Sequence, residues 1–134
     1  PLASYTAPFE TYWANGAAML LRMSALREIS VMDQNMRFIC SDADLSFTAR
    51  ARGWKVMVVP AARVEHELSS SAHATHNAIN LIKVQDLLYF TQKWLSGGLY
   101  RILAHEGAQL SEEAIRSYLG DLQATVDAYT RGEV

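Results

Sequence analysis

Residues 41–60 read SDADLSFTARARGWKVMVVP and contain a helix signal followed directly by a strand signal. Asp42, or the serine before it, can cap a helix, because a side-chain oxygen there accepts a backbone N–H of the first turn. Gly53 is a natural stop for this helix. Residues 55–59 are rich in β-branched side chains and end at a proline, which predicts a strand.

The residues around this stretch predict further short elements. Residues 17–23 (AAMLLRM) form an apolar run after an Asn-Gly turn, which favours a buried strand, although its length alone leaves a helix open. Ser24 can cap a short helix over residues 25–29. Residues 31–40 are irregular, and residues 63–67 (RVEHE) predict another short strand.

The pattern after residue 75 is helical to the end of the chain. Apolar residues at helical spacing predict a helix over residues 78–95, which a Gly-Gly pair ends, and a short helix over residues 99–106. Ser111 can cap a last helix, whose first turn holds two glutamates that suit the helix dipole. This helix should pack on the first part of the chain or on another subunit, through an apolar stripe formed by Ile115, Leu119, Leu122, Val126 and Tyr129.

Composition excludes several classes of protein. The 134 residues are 50% hydrophobic and 19% charged, so a real core is expected. A net charge of -2 with no basic stripe argues against nucleic acid as a partner. Cys40 is the only cysteine, which excludes an intrachain disulfide and fits a reducing compartment. No apolar run approaches the ~20 residues of a membrane span, and no signal peptide opens the sequence.

The densest polar cluster holds two carboxylates, Asp42 and Asp44, at the start of the helix predicted above. Two residues apart on a helix, they point about 200° apart and suit separate tasks. One could meet a substrate while the other binds backbone or a basic neighbour. The alternative is simple capping, because carboxylates are common at helix N-termini.

His66 is a second candidate for chemistry. It follows an apolar strand and precedes a serine-rich loop, where a histidine can bind a metal or a phosphate. A packed or surface histidine is the alternative. His73 and His76 follow, but their spacing matches no zinc motif and the set lacks cysteine.

Aromatic residues offer two possible contact surfaces. Trp13, with Tyr12 and Phe9 close by, could stack on a sugar or lie in the core. Trp94 lies on a helix that could rest on a membrane surface. The charges on that helix are mixed, namely Lys83, Asp86 and Lys93, which favours packing instead.

The order of these features is more specific than any one of them. Along the chain it reads NGAAMLLR at 15–22, SAL at 24–26, Asp33, Phe38, SDADL at 41–45, RARGWKV at 50–56, VP at 59–60 and VEH at 64–66. Over residues 12–71 this order resembles the second half of the family-2 nucleotide-sugar glycosyltransferases, especially rhamnosyltransferase-like bacterial members. The resemblance implies an α/β fold: a partial GT-A region with few strands in residues 1–71, and a helical C-terminal extension in residues 72–134.

The resemblance also implies roles for particular residues. Asp42 matches the catalytic base, which takes the proton of an acceptor hydroxyl as that oxygen attacks the anomeric carbon with inversion. Asp44 matches the second acid of the motif, a structural or acceptor-orienting partner. His66 matches a histidine that completes the coordination of Mg²⁺ or Mn²⁺ against the diphosphate in several members. Three further residues fall where the acceptor pocket begins: Trp13, Asn15 and Gly16.

The sequence departs from the family pattern at several positions. Ser41 replaces the usual Glu, and Ser30 stands where Gly is common. Met32 and Gln34 replace the Phe and Glu around Asp33, which weakens the assignment of subfamily and acceptor. The signature of processive synthases is absent, which favours transfer of single sugars.

The family's N-terminal half, with its first strands and its metal-gripping Asp-x-Asp, has no counterpart in these residues. We therefore expect the 134 residues to be inactive alone. The completed enzyme would use a divalent metal, a nucleotide-diphosphate sugar and a glycan or lipid-linked acceptor. By the resemblance it would be cytoplasmic, with possible peripheral contact to the inner face of the membrane.

Two other hypotheses remain open at this point. The chain could be a non-catalytic module derived from this fold, which self-associates or binds a partner through the apolar stripe of the last helix. It could also be a small metal-dependent hydrolase that uses Asp42, Asp44 and His66, although no set of residues that activates a nucleophile accompanies them.

Overall fold

A computed structural model describes residues 6–66, 77–95 and 111–133. These residues form four helices and a two-stranded sheet, in the order β1 (Phe9–Glu10), α1 (Met23–Ile29), α2 (Ser41–Ala51), β2 (Met57–Val58), α3 (Asn77–Lys93) and α4 (Glu112–Arg131). The described part of the chain thus mixes α and β structure. It divides into two compact units. The first holds residues 6–33 and 41–66, and the second holds residues 34–40 together with α3 and α4.

The sheet of the first unit is a short antiparallel pair. Phe9 of β1 lies opposite Val58 of β2, and the N–H of Thr11 extends the pairing by donating to the carbonyl of Val56 over 2.9 Å. The strand predicted over residues 55–59 is therefore confirmed, although β2 covers only Met57–Val58. β1 was not predicted, because the aromatic residues around it do not alternate with polar ones.

The strand predicted over residues 17–23 is wrong. These residues pair with no strand in the described chain, and α1 begins at Met23. A strand needs a hydrogen-bonded neighbour, and Leu20 in this run is 100% exposed. The predicted helix over residues 25–29 is present but starts earlier. Its N-cap is Arg22, without a side-chain capping bond, so Ser24 is not the cap.

The helix predicted from residues 41–42 onward is confirmed as α2. Leu45 and Phe47 on this helix are buried. Gly53 ends it with a left-handed φ of 82°, and its N–H donates to the carbonyl of Arg50 over 2.9 Å. Residues 63–66, the described part of the second predicted strand, form no strand.

The second unit is built on α3 and α4, which pack against each other. The predicted cap of the last helix is confirmed, since the Ser111 hydroxyl accepts the N–H of Ala114 over 3.0 Å. In the apolar stripe of α4, Ile115 and Leu122 are buried. The stripe thus lies on a helix with a packing partner inside the same chain, and self-association through it stays a prediction. The Gly-Gly break and the short helix over 99–106 lie outside the described residues, as do His73 and His76.

Asp86 anchors the irregular segment 34–40 within the second unit. Its side chain is fully buried, and its Oδ2 accepts the N–H groups of Phe38 over 2.6 Å and Ile39 over 3.0 Å. Arg37 adds a bond to Gln85 over 2.8 Å. Asp86 is therefore an internal anchor for the backbone, although the sequence presented it as one member of a mixed set of helix charges.

Among the described helices, none combines the length and the apolarity needed to cross a bilayer.

Candidate functional site

A line of polar side chains runs along one face of α2 in the first unit. We call it the α2 stripe; its members are Asp42, Ser46 and Arg50. Residues four apart on a helix lie one above the other, so the three side chains share a face. Each of them binds the backbone of residues 11–16, which we call the clamped segment.

The contacts follow the clamped segment in reverse order along the helix. Oδ2 of Asp42 accepts the N–H of Gly16 over 2.9 Å. One turn further, Oγ of Ser46 accepts the N–H of Ala14 over 3.1 Å. The two contacts lie one turn apart on α2 and two residues apart on the clamped segment.

Arg50 makes the third contact of the stripe. Its Nη1 donates to the carbonyl of Thr11 over 3.0 Å, and its guanidinium lies 4.8 Å from the centre of the Tyr12 ring. Such a cation over an aromatic face is attracted by about 0.5–1 kcal/mol at an exposed site. The clamped segment is thus held at both ends and in the middle.

Asp42, the predicted base, is half-buried and engages backbone with both oxygens. Oδ1 accepts the N–H of Ala43 over 2.8 Å, and Oδ2 accepts the N–H of Gly16. The bond to Ala43 is local and lies within the first turn of α2, where carboxylates are common because they suit the helix dipole. The bond to Gly16 spans 26 residues, which capping does not explain. A carboxylate offers about four lone-pair sites, so two bonds leave it able to accept a hydroxyl proton.

Asp44 has different surroundings, as its spacing from Asp42 predicts. It is only 3% exposed, so its carboxylate lies inside the protein. A carboxylate buried to this degree has little surface to offer a sugar. Of the two roles implied by the family resemblance, burial favours the structural one.

An open groove of about 1270 Å³ lies on the first unit beside the clamped segment. Its lining includes Trp13, Asn15 and His66, and most of its other members are apolar side chains from within residues 17–29 and 56–64. The groove brings three of the predicted site residues together. Asp42 and Asp44 do not line it, and neither does Gly16, the residue that Asp42 binds.

The described residues alone do not fit a divalent-metal site. No group of three His, Cys, Asp or Glu side chains among them is arranged to hold an ion. His66 is exposed and would supply a single ligand. We therefore assign no chemical step to a metal on these residues.

Two members of the α2 stripe, Ser46 and Arg50, were not among the residues that the sequence singled out. The interval of four from Asp42 was visible in the sequence and placed them on one face. Spacing does not reveal what that face binds, because Ser46 and Arg50 contact backbone groups more than 30 residues away.

Comparison with known proteins adds no relative: no protein-family model, no curated protein and no solved structure gives a significant match to the chain.

Proposed function

We propose that this chain is part of an inverting family-2 glycosyltransferase of the GT-A type. The enzyme would move a sugar from a nucleotide-diphosphate donor to a hydroxyl of a glycan or lipid-linked acceptor. One observation carries the proposal. Asp42, the predicted base, holds the backbone of Gly16, in the segment that carries Trp13 and Asn15, the predicted acceptor-binding residues.

The backbone at Ser30 gives independent support. Ser30 stands where the family commonly has glycine, and it adopts a φ of 72° with a ψ of -169°. This region is essentially restricted to glycine. The chain therefore keeps a conformation that suits glycine at a position where the family pattern expects that residue.

The proposed chemistry uses the residues of the first unit in separate roles. Trp13 would stack on the acceptor sugar, and Asn15 would hydrogen-bond its hydroxyls. Asp42 would take the proton of the attacking hydroxyl through a remaining lone pair, so that a new bond forms at the anomeric carbon as the nucleotide leaves. Attack from the face opposite the leaving group inverts that centre.

The donor side of the reaction is assigned to residues other than these. The proposal places the diphosphate and any Mg²⁺ or Mn²⁺ on a donor-binding half, to which His66 would add one ligand. Activity is therefore expected of a protein that contains both halves. A cytoplasmic location beside the membrane, where lipid-linked acceptors are found, is part of the same proposal.

Acceptor binding by the first unit tests this proposal directly. Saturation-transfer NMR with a panel of p-nitrophenyl glycosides should show weak binding to the chain, and Trp13→Ala should abolish it. Tyr118→Ala is the matched control, because Tyr118 on α4 is 40% exposed and Trp13 is 44% exposed. Binding that survives Trp13→Ala would contradict the assigned acceptor site.

A further inference from the structure

The hydroxyl of Ser46 connects the predicted base to the middle of the clamped segment. It donates to the main-chain carbonyl of Asp42 over 2.8 Å and accepts the N–H of Ala14 over 3.1 Å. Ser46 is among the buried residues of the first unit. A serine hydroxyl has one proton to donate, and here that proton is committed to Asp42, so the lone pairs are left to receive Ala14.

The position of Ala14 gives this contact its importance. Ala14 lies between Trp13 and Asn15, both of which line the groove. A bond that fixes its N–H also fixes the backbone from which the two neighbouring side chains leave. The contacts of Asp42 and Arg50 hold the segment two residues beyond Ala14 and three residues before it, so neither replaces this bond.

We propose that Ser46 is a positioning residue for the acceptor: its hydroxyl sets the backbone between Trp13 and Asn15 in register with Asp42. This role rests on the proposed function, in which Trp13 and Asn15 bind the acceptor and Asp42 is the base. Ser46 would hold the first two residues in a fixed place relative to the third. Ser46 lines the groove but is only 4% exposed, so it has little surface with which to touch a sugar. It acts through the amide of Ala14 and the carbonyl of Asp42.

Two measurements on the 134-residue chain test the role. The first is amide hydrogen exchange at Ala14 and Gly16, which needs no ligand. The second is the dissociation constant for the p-nitrophenyl glycosides that the unsubstituted chain binds. The variants are Ser46→Ala, which removes the hydroxyl, and Ser46→Cys, which replaces it with a slightly larger thiol that is a weak hydrogen-bonding group. The control is Thr48→Ala, which removes a hydroxyl from the same helix outside the α2 stripe.

We expect Ser46→Ala to raise exchange at Ala14 by about tenfold, the factor given by losing one hydrogen bond of typical net strength. Glycoside binding should weaken by roughly fivefold or more for the same reason. Ser46→Cys should change exchange and binding in the same direction but by smaller factors. If Ser46→Ala does not fold, the result for Ser46→Cys tests the role instead. Thr48→Ala should leave the exchange rate at Ala14 and the dissociation constant within roughly twofold of the unsubstituted chain, because Thr48 lies outside the α2 stripe.

Each other result has a distinct meaning. Unchanged exchange at Ala14 in both Ser46 variants would overturn the clamp. Faster exchange with unchanged glycoside binding would overturn the positioning role and leave the proposed function standing. Failure of the unsubstituted chain to bind any glycoside of the panel would contradict the proposed function, and the role of Ser46 with it.

Discussion

The backbone N–H of Gly16 donates to Oδ2 of Asp42 over 2.9 Å, and a side chain at position 16 would lie against that carboxylate. A Cβ placed at Gly16 would lie 3.4 Å from the Cβ of Asp42 and 3.5 Å from its Oδ2. A single methyl group therefore just fits, and a branched side chain would displace the carboxylate.

Gly16→Val should lower the free energy of unfolding by about 1 kcal/mol, because the branched side chain would displace the carboxylate of Asp42 and break its hydrogen bond with the N–H of residue 16. Urea denaturation measures the change. Ala17→Val is the matched control, since Ala17 is exposed and should shift stability by only about 0.5 kcal/mol or less. Equal effects of the two substitutions would mean that Asp42 does not crowd Gly16.

Ser30→Gly should stabilise the first unit by about 1–2 kcal/mol. The reason is that Ser30 adopts a φ of 72°, a strained conformation for any residue with a Cβ. Thermal unfolding measures the gain. Ser30→Ala keeps the Cβ and should show no gain. A loss of stability in Ser30→Gly would contradict the backbone assigned to this position.

Two glycines with open space around them should respond to alanine with opposite signs. Gly53→Ala should destabilise by about 1–2 kcal/mol, because a Cβ is disfavoured in the left-handed region. Gly120→Ala should stabilise by about 0.5–1 kcal/mol, because Gly120 lies exposed inside α4, where alanine is the better helix former. Urea denaturation of both variants decides the point, and equal signs would be inconsistent with the φ of 82° at Gly53.

The parts of the fold that local chemistry determines could be predicted from the sequence. The start of α4 at Ser111 and the end of α2 at Gly53 each depend on atoms within a few residues. The false strand over residues 17–23 shows the limit. An apolar run indicates burial, but a strand also needs a partner, and partners are distant in sequence.

The candidate site shows the same division between local and distant information. The sequence pointed to Asp42 because it stands at a predicted helix start, and to Gly16 because it belongs to an Asn-Gly turn. That the two residues bond to each other was not predicted, because they lie 26 positions apart. Asp86 was missed for a related reason, since a lone carboxylate in a helix with mixed charges gives no sign of burial.

Asp86→Ala should lower the free energy of unfolding by about 2–4 kcal/mol. It removes a fully buried carboxylate and leaves the N–H groups of Phe38 and Ile39 without their acceptor. Chemical denaturation of the 134-residue chain measures the loss. Asp121→Ala, an exposed carboxylate on α4, should change stability by about 0.5 kcal/mol or less. A loss no larger for Asp86 than for Asp121 would show that segment 34–40 is not anchored in this way.

Asp42→Asn tests whether Asp42 is the catalytic base of an inverting transferase. The measurement is sugar transfer by a protein that joins this chain to the proposed donor-binding half, followed as release of nucleoside diphosphate, with the anomer of the product read by NMR. Asparagine keeps the shape of Asp42 and an oxygen for Gly16, but it is not a base and it leaves the N–H of Ala43 without its acceptor. We therefore expect a loss of kcat of roughly 10²–10⁴-fold, with a loss of stability of only about 1 kcal/mol. Asp121→Asn should retain full activity, and the product should be inverted. Transfer by Asp42→Asn at the rate of the unsubstituted enzyme, or a product with retained configuration, would contradict the account.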